Sequence, residues 1–152
     1  MTPDQDELVA KLKTPEDCEQ FAINVELRGK VDLARAARRR AVELRALAHN
    51  ANSVVEREAL AAVYAYERVL SQSAGKKARA SRTWQMINRR GIIPAVEHVV
   101  SRSQEAKGYT LLVDMGMEDM AFEAVVLRHP EAFSVDAVER SRARLRELKI
   151  PK

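Results

Sequence analysis

Residues 53–70, SVVEREALAAVYAYERVL, decide the fold class of this 152-residue chain. Ser53, followed three residues later by Glu56, forms a capping box, in which the two side chains satisfy free N–H groups at the start of a helix. The apolar residues that follow have the three- and four-residue spacing of one face of an α-helix and are Ala59, Ala62, Val63, Tyr66 and Leu70. The segment therefore predicts a long helix. The small side chains on this face allow a neighbouring helix to approach closely.

The N-terminal part of the chain shows the same helical character. Segments 15–28 and 32–48 have short connections and helical apolar spacing, which predict an antiparallel helix hairpin. Thr14 precedes the first helix as its N-cap, and Gly29 is typical of the residue at which a helix ends. Asp32 is expected to cap the second helix.

Short helices are also predicted for the rest of the chain. After a polar, basic connection at 71–77, the helices lie on either side of Gly91 within 81–102, and over 109–115, 118–128 and 135–148, the last capped by Ser134. The sequence thus predicts a single all-α domain over 1–152, a bundle of about eight short-to-medium helices. A division into two sub-bundles, 1–74 and 78–152, is left open.

Composition excludes several classes of protein. The single cysteine, Cys18, excludes an internal disulfide and a multi-cysteine metal site. No apolar run is long enough for a membrane span, so no membrane partner is expected. The N-terminus is acidic and lacks an apolar signal core, which predicts a cytoplasmic protein. The sequence indicates no oligomeric state.

Motifs for catalysis are absent from the sequence. There is no phosphate-binding glycine loop and no His-Glu-x-x-His pair. Asp119 and Glu123 stand four residues apart and could hold Mg²⁺ or Mn²⁺ with further ligands. A metal-dependent nuclease usually also needs a Lys or His close to such a cluster, and only distant ones are available. The prediction is that the protein is not an enzyme and needs no cofactor or metal. An enzyme whose site the sequence does not reveal stays an alternative.

Charge is distributed in bands along the chain. The 26 basic and 22 acidic residues give a net charge of +4, but residues 75–102 carry seven basic residues against one acid, Glu97. A flexible cationic segment leading into two short helices follows the general logic of helix-turn-helix proteins, although the residue pattern of that motif is absent. The candidate nucleic-acid-binding residues are Lys76, Lys77, Arg79, Arg82, Arg89 and Arg90.

A second basic band covers residues 30–52, where Arg35, Arg38 and Arg39 share one side of the predicted helix and are further candidates for contact with phosphates. The alternative is a solvated helix surface paired with Glu43 or with the acidic helix before it. The first band has a similar alternative, a solvated connection whose charge is balanced by the acidic bands at 1–29 and 103–133.

The function predicted from these bands is a small, non-enzymatic helical module that binds nucleic acid or a nucleoprotein complex. The alternative is a protein–protein adaptor that uses the groove of the helix hairpin or a methionine-rich patch, Met115, Met117 and Met120. Trp84 is the only tryptophan, and we expect it to be a buried contact between the two sub-bundles. If exposed, it would instead be a candidate for stacking on a base.

Overall fold

A computed structural model describes residues 3–102 and 106–149 of the chain, and in these ranges it confirms an all-α fold without a β-strand. The chain divides into two compact units, Met1–Asn50 and Ala51–Lys152. The sequence left open a division of the chain at the basic connection 71–77. In the structure this connection lies inside the second unit, where it joins two successive helices.

In its described residues, from position 3 onwards, the first unit contains three helices, α1 (Pro3–Ala10), α2 (Pro15–Glu26) and α3 (Val31–Leu47). The Thr14 hydroxyl accepts a hydrogen bond from the backbone N–H of Asp17 at 3.1 Å, which confirms the predicted N-cap of α2. The prediction that Asp32 caps α3 is wrong. Because α3 already begins at Val31, Asp32 lies inside the first turn, and the N-cap residue is Lys30, which makes no side-chain capping bond.

Helices α2 and α3 form the expected antiparallel hairpin. Arg38 pairs with Glu26 at the end of α2, whereas the later Arg45 lies 3.4 Å from Glu19 near its middle. The two helices therefore run in opposite directions. The buried residues of the two helices are mostly small or branched, which allows neighbouring backbones to approach closely, and they include Cys18, Ala22, Val25, Leu33, Ala34, Ala37, Ala41 and Val42.

The second unit contains six longer helices and two short 3-10 helices in its described residues. The longer ones are α4 (Val54–Ala74), α5 (Ser81–Arg90), α6 (Ile92–Ser101), α7 (Ala106–Asp114), α8 (Phe122–Arg128) and α9 (Val135–Lys149). The 3-10 helices cover Glu118–Met120 and Pro130–Ala132. None of the helices in the described ranges has the length and apolar character that a membrane span requires.

The predicted helix over 118–128 is interrupted. Ala121 has extended backbone angles (φ −62°, ψ 145°), so that a 3-10 turn and α8 replace one continuous helix. At about 100° per residue, the buried apolar residues from Met117 to Val126 would spread over roughly 240° of a continuous helix. The extended backbone at Ala121 allows the apolar side chains before it and those after it to face the interior.

Helix α4 packs against α6, α7 and α8 in the second unit. The predicted face of α4 is buried at Ala59, Ala62 and Val63, where it joins a core that includes Val96 and Val125. Met117 and Met120 also lie in the interior, which favours a packing role over an exposed methionine patch.

The N-terminus of α4 provides a test of the local helix signals. The Ser53 hydroxyl accepts a hydrogen bond from the Glu56 backbone N–H at 3.2 Å. Ser53→Ala is expected to lower the free energy of unfolding by about 1 kcal/mol, because that N–H loses its partner. Urea unfolding monitored by circular dichroism measures the change. Ser81→Ala is the matched control, since α5 has no side-chain cap, and equal effects of the two substitutions would contradict the prediction.

Candidate nucleic-acid interface

The basic connection after α4 begins with a glycine and is held by a serine. Gly75 ends α4 with left-handed backbone angles (φ 70°, ψ 15°), which glycine adopts without steric strain. The Ser71 hydroxyl accepts a hydrogen bond from the Ala78 backbone N–H at 2.9 Å and donates one to the Glu67 carbonyl at 2.8 Å. The middle of the connection is thereby fixed to the last turns of α4.

Glu67 holds the end of the connection and the start of α5. Its Oε2 atom accepts hydrogen bonds from the Ala80 backbone N–H and from the Trp84 indole N–H, both at 2.8 Å. The Arg79 guanidinium lies 3.8 Å from the same oxygen. The sequence predicted a flexible segment here, whereas the structure shows a connection with defined hydrogen bonds. Sequence analysis missed Glu67, because its partners lie 12 to 17 residues further along the chain.

Trp84 connects α5 to α4, as expected for a contact between the parts of the chain before and after the connection. Its ring lies 5.1 Å from the ring of Tyr64, and it packs against the core of the second unit. It is half-buried rather than fully buried. Its hydrogen bond and ring contact favour the structural role over base stacking.

We call the six residues Lys76, Lys77, Arg79, Arg82, Arg89 and Arg90 the cationic surface; all six side chains are exposed. Arg82 and Arg89 lie two turns apart on α5 and share its exposed face with Gln85. No acidic residue occurs from Arg68 to Val96. Glu97, the only acid of the basic band, accepts a hydrogen bond from the Ser134 backbone N–H at 2.9 Å. Of the six cations, only Arg79 has an ion pair with a residue in the described ranges.

The second candidate set is largely occupied by ion pairs. Arg38 pairs with Glu26, and Arg39 Nε lies 3.3 Å from Glu43 Oε1 on the next turn of α3. Arg35 is exposed. These contacts match the alternative stated for this band, a solvated helix surface neutralised by neighbouring acids. The set belongs to the first unit, whereas the cationic surface belongs to the second.

Asp119 and Glu123, the two acids that the sequence offers as metal ligands, do not form a metal site in the structure. Asp119 is exposed, whereas Glu123 is buried and lies 3.3 Å from Arg144 of α9. No group of three or more potential metal ligands occurs among the residues that the structure describes. Cys18 is also buried, and burial raises the pKa of its thiol, which disfavours the reactive thiolate.

The burial of Glu123 gives a pH dependence of known sign. Burial raises the pKa of the Glu123 carboxyl above its ordinary value of 4.5, against the opposing effects of its own backbone N–H and of Arg144. The folded state thus keeps this proton to a higher pH than the unfolded state does. The resulting stability is complete below pH 4.5 and is lost as the pH rises through the raised pKa.

Glu123→Gln cannot titrate, so the stability of this variant relative to wild type is expected to increase as the pH rises above about 4.5. Urea unfolding of both proteins at several pH values measures the difference. Glu58 titrates in the opposite sense: burial acts to raise its pKa, but the hydrogen bond from Arg128 and the nearby His129 ring outweigh burial and lower it. The stabilisation from Glu58 is therefore lost only as the pH falls below the ordinary range of a glutamate pKa.

The prediction for Glu123 would be contradicted if the stability difference between Glu123→Gln and wild type did not change with pH.

No family model, curated protein or solved structure matches this chain.

Proposed function

We propose that the second unit is a non-enzymatic module of a cytoplasmic protein and binds nucleic acid through the cationic surface. The observation that carries the proposal is the concentration of six exposed cations in residues 76–90, five of them without an acidic partner in the described ranges. Positive side chains that are not neutralised within the protein are available to replace counterions on a phosphate backbone.

The hydrogen bonds of the connection support this proposal. Because Ser71 and Glu67 fix the backbone around Ala78 and Ala80, binding would order fewer residues than a free arm would. Arg82 and Arg89 are separated by a rise of about 10.5 Å along α5. The two side chains lie on the same face of α5, where each can contact a different phosphate.

The proposed contacts favour phosphates over bases. Lysine and arginine on a connection and along one exposed helix face position a protein on the backbone, which carries no direct sequence information. The following helix, α6, buries Ala95, Val96, Val99 and Val100 in the core. It therefore offers few side chains for reading base edges in a groove. We expect slight sequence preference.

A salt titration tests the proposal. Four to six phosphate contacts predict that the logarithm of the association constant falls with the logarithm of salt concentration with a slope of about −3.5 to −5.5 on duplex DNA. The measurement is fluorescence anisotropy with labelled duplex and single-stranded DNA and RNA, from about 50 to 200 mM salt, a range over which such contacts weaken strongly. Absence of binding to all of these probes at the lowest salt would overturn the proposal.

A charge-matched pair of variants locates the interface. Replacing Lys76, Lys77 and Arg82 with alanine is expected to flatten the slope by up to about 2.7, without a large change in melting temperature, since all three are exposed. The control removes the same charge from exposed positions elsewhere in the unit, Arg57, Arg142 and Arg146. Equal losses of affinity in both triple variants would show that net charge, and not the cationic surface, determines binding.

A further inference from the structure

Helix α5 is an outer helix of the second unit. It packs mainly against α6, and α6 in turn packs against α4, α8 and α9. On the inner side of α5, Thr83 is buried, and Trp84 and Ile87 pack against the core. At about 100° per residue, the exposed residues from 81 to 89 fall in an arc of roughly 120° centred on Gln85. We call this arc the α5 face, and it consists of Ser81, Arg82, Gln85, Asn88 and Arg89.

The α5 face carries hydrogen-bonding side chains and no acid. Serine, arginine, glutamine and asparagine are side-chain types that bind the phosphates and the base edges of DNA. None of the five side chains has a hydrogen bond or an ion pair with a residue in the described ranges. The exposed side of α9 differs, because there Asp136 and Glu139 accompany Arg140, and Arg140 pairs with Asp136 at 2.8 Å. The α5 face is therefore complementary to a polyanion over its whole width.

The shape of an exposed helix distinguishes one form of duplex from another. An α-helix with its side chains is about 10–12 Å across. The major groove of B-form DNA is about 12 Å wide and admits such a helix. The major groove of an A-form RNA duplex is deep and too narrow for side chains to read the bases. An outer helix with a polar, acid-free face thus has a fitting groove in duplex DNA and none in duplex RNA.

We propose that α5 lies in the major groove of B-form duplex DNA, with Gln85 towards the base edges and Arg82 and Arg89 on phosphates. This inference rests on the proposed function and names duplex DNA as its partner. Lys76 and Lys77 precede α5 on the connection and extend the contact along the phosphate backbone. Glutamine hydrogen-bonds the N6 and N7 atoms of adenine. Because Gln85 alone lies at the centre of the face, sequence preference stays slight, whereas the preference for the form of the duplex is large.

A DNA duplex and an RNA duplex of the same sequence and length test the inference. In fluorescence anisotropy at the lowest salt of the titration, the DNA duplex is expected to bind about tenfold or more tightly, because RNA offers no groove contact for α5. Equal affinity for the two duplexes would overturn the inference and leave the proposed function standing. Absence of binding to both duplexes and to single strands would overturn both.

Replacing adenine with 7-deazaadenine in the DNA duplex tests the position of Gln85. The replacement removes the N7 acceptor from the major groove and leaves the phosphates and the minor groove unchanged. It is expected to weaken binding of the wild-type protein about fivefold or more, the usual effect of losing a base contact of this kind. Gln85→Ala should bind both duplexes equally, since the side chain that meets N7 is gone.

Gln20→Ala is the matched control, because it makes the same change at an exposed helix position in the first unit. This variant should keep the wild-type response to 7-deazaadenine. Gln85→Ala is expected to stay folded, since Gln85 is exposed and alanine favours a helix. If wild type did not respond to 7-deazaadenine, or if Gln85→Ala responded as wild type does, α5 would not present Gln85 to the major groove and the inference would be overturned.

Discussion

Replacing Phe122 with alanine is expected to lower the free energy of unfolding by about 3–5 kcal/mol, the usual range for truncating a buried phenylalanine. Phe122 is 5% exposed and belongs to the core of the second unit. Its ring meets that of Tyr66 edge to face, with the ring centres 6.1 Å apart. The substitution removes this aromatic contact as well as the buried area, and it leaves a space that the surrounding helices fill only in part.

Urea unfolding monitored by circular dichroism measures the effect of Phe122→Ala. Val135→Ala is the control within the same unit, because Val135 is 75% exposed and its truncation should change stability by less than about 0.5 kcal/mol. An effect of Phe122→Ala as small as that of the control would mean that α8 does not pack against α4 as described.

The second large effect is expected at Glu67, where leucine should lower the free energy of unfolding by about 3 kcal/mol. The Glu67 side chain is 14% exposed, and its Oε2 atom is the acceptor for the Ala80 N–H and the Trp84 indole N–H. Leucine keeps apolar bulk but leaves both donors without this partner. Since these bonds fix the start of α5, the loss should also move the tryptophan emission towards that of a solvated indole.

The same urea titration, read by both circular dichroism and tryptophan fluorescence, tests the Glu67 prediction. Glu139→Leu on the exposed side of α9 is the matched control, since it makes the same chemical change without a buried hydrogen bond. If Glu67→Leu kept wild-type stability and emission, the hydrogen bonds to Ala80 and Trp84 would not hold the connection.

Several helix signals in this chain act locally. Thr14, Ser53 and Ser134 each accept a hydrogen bond from the backbone N–H three residues later, as predicted. The two helices around Gly91 also form as predicted, and the positive φ of Gly91 (96°) explains why glycine occupies that turn. These features depend on partners within one turn of the chain, so the sequence was sufficient to identify them.

Features that depend on distant partners were not predictable in the same way. The break at Ala121 serves to bury apolar residues on both sides of it, which depends on the helices packed around them. The sequence places Glu123 four residues from Asp119, yet its ion-pair partner Arg144 lies 21 residues further along the chain. An acid among the apolar residues of 120–127 is a signal of an unusual site, but it does not identify the partner.

The sequence by itself determined the all-α class, most helix boundaries and the concentration of cations in residues 76–90, because periodicity, capping and charge are local properties of a chain. Only the tertiary structure decided which charges are neutralised and which polar groups are buried. Glu26 pairs with Arg38 in the first unit, Glu67 holds the connection that carries the cationic surface, and Glu123 is buried beside Arg144 of α9. The physical reason is that desolvation and ion pairing depend on what surrounds a side chain in space, and packing brings those groups together from distant positions in the chain.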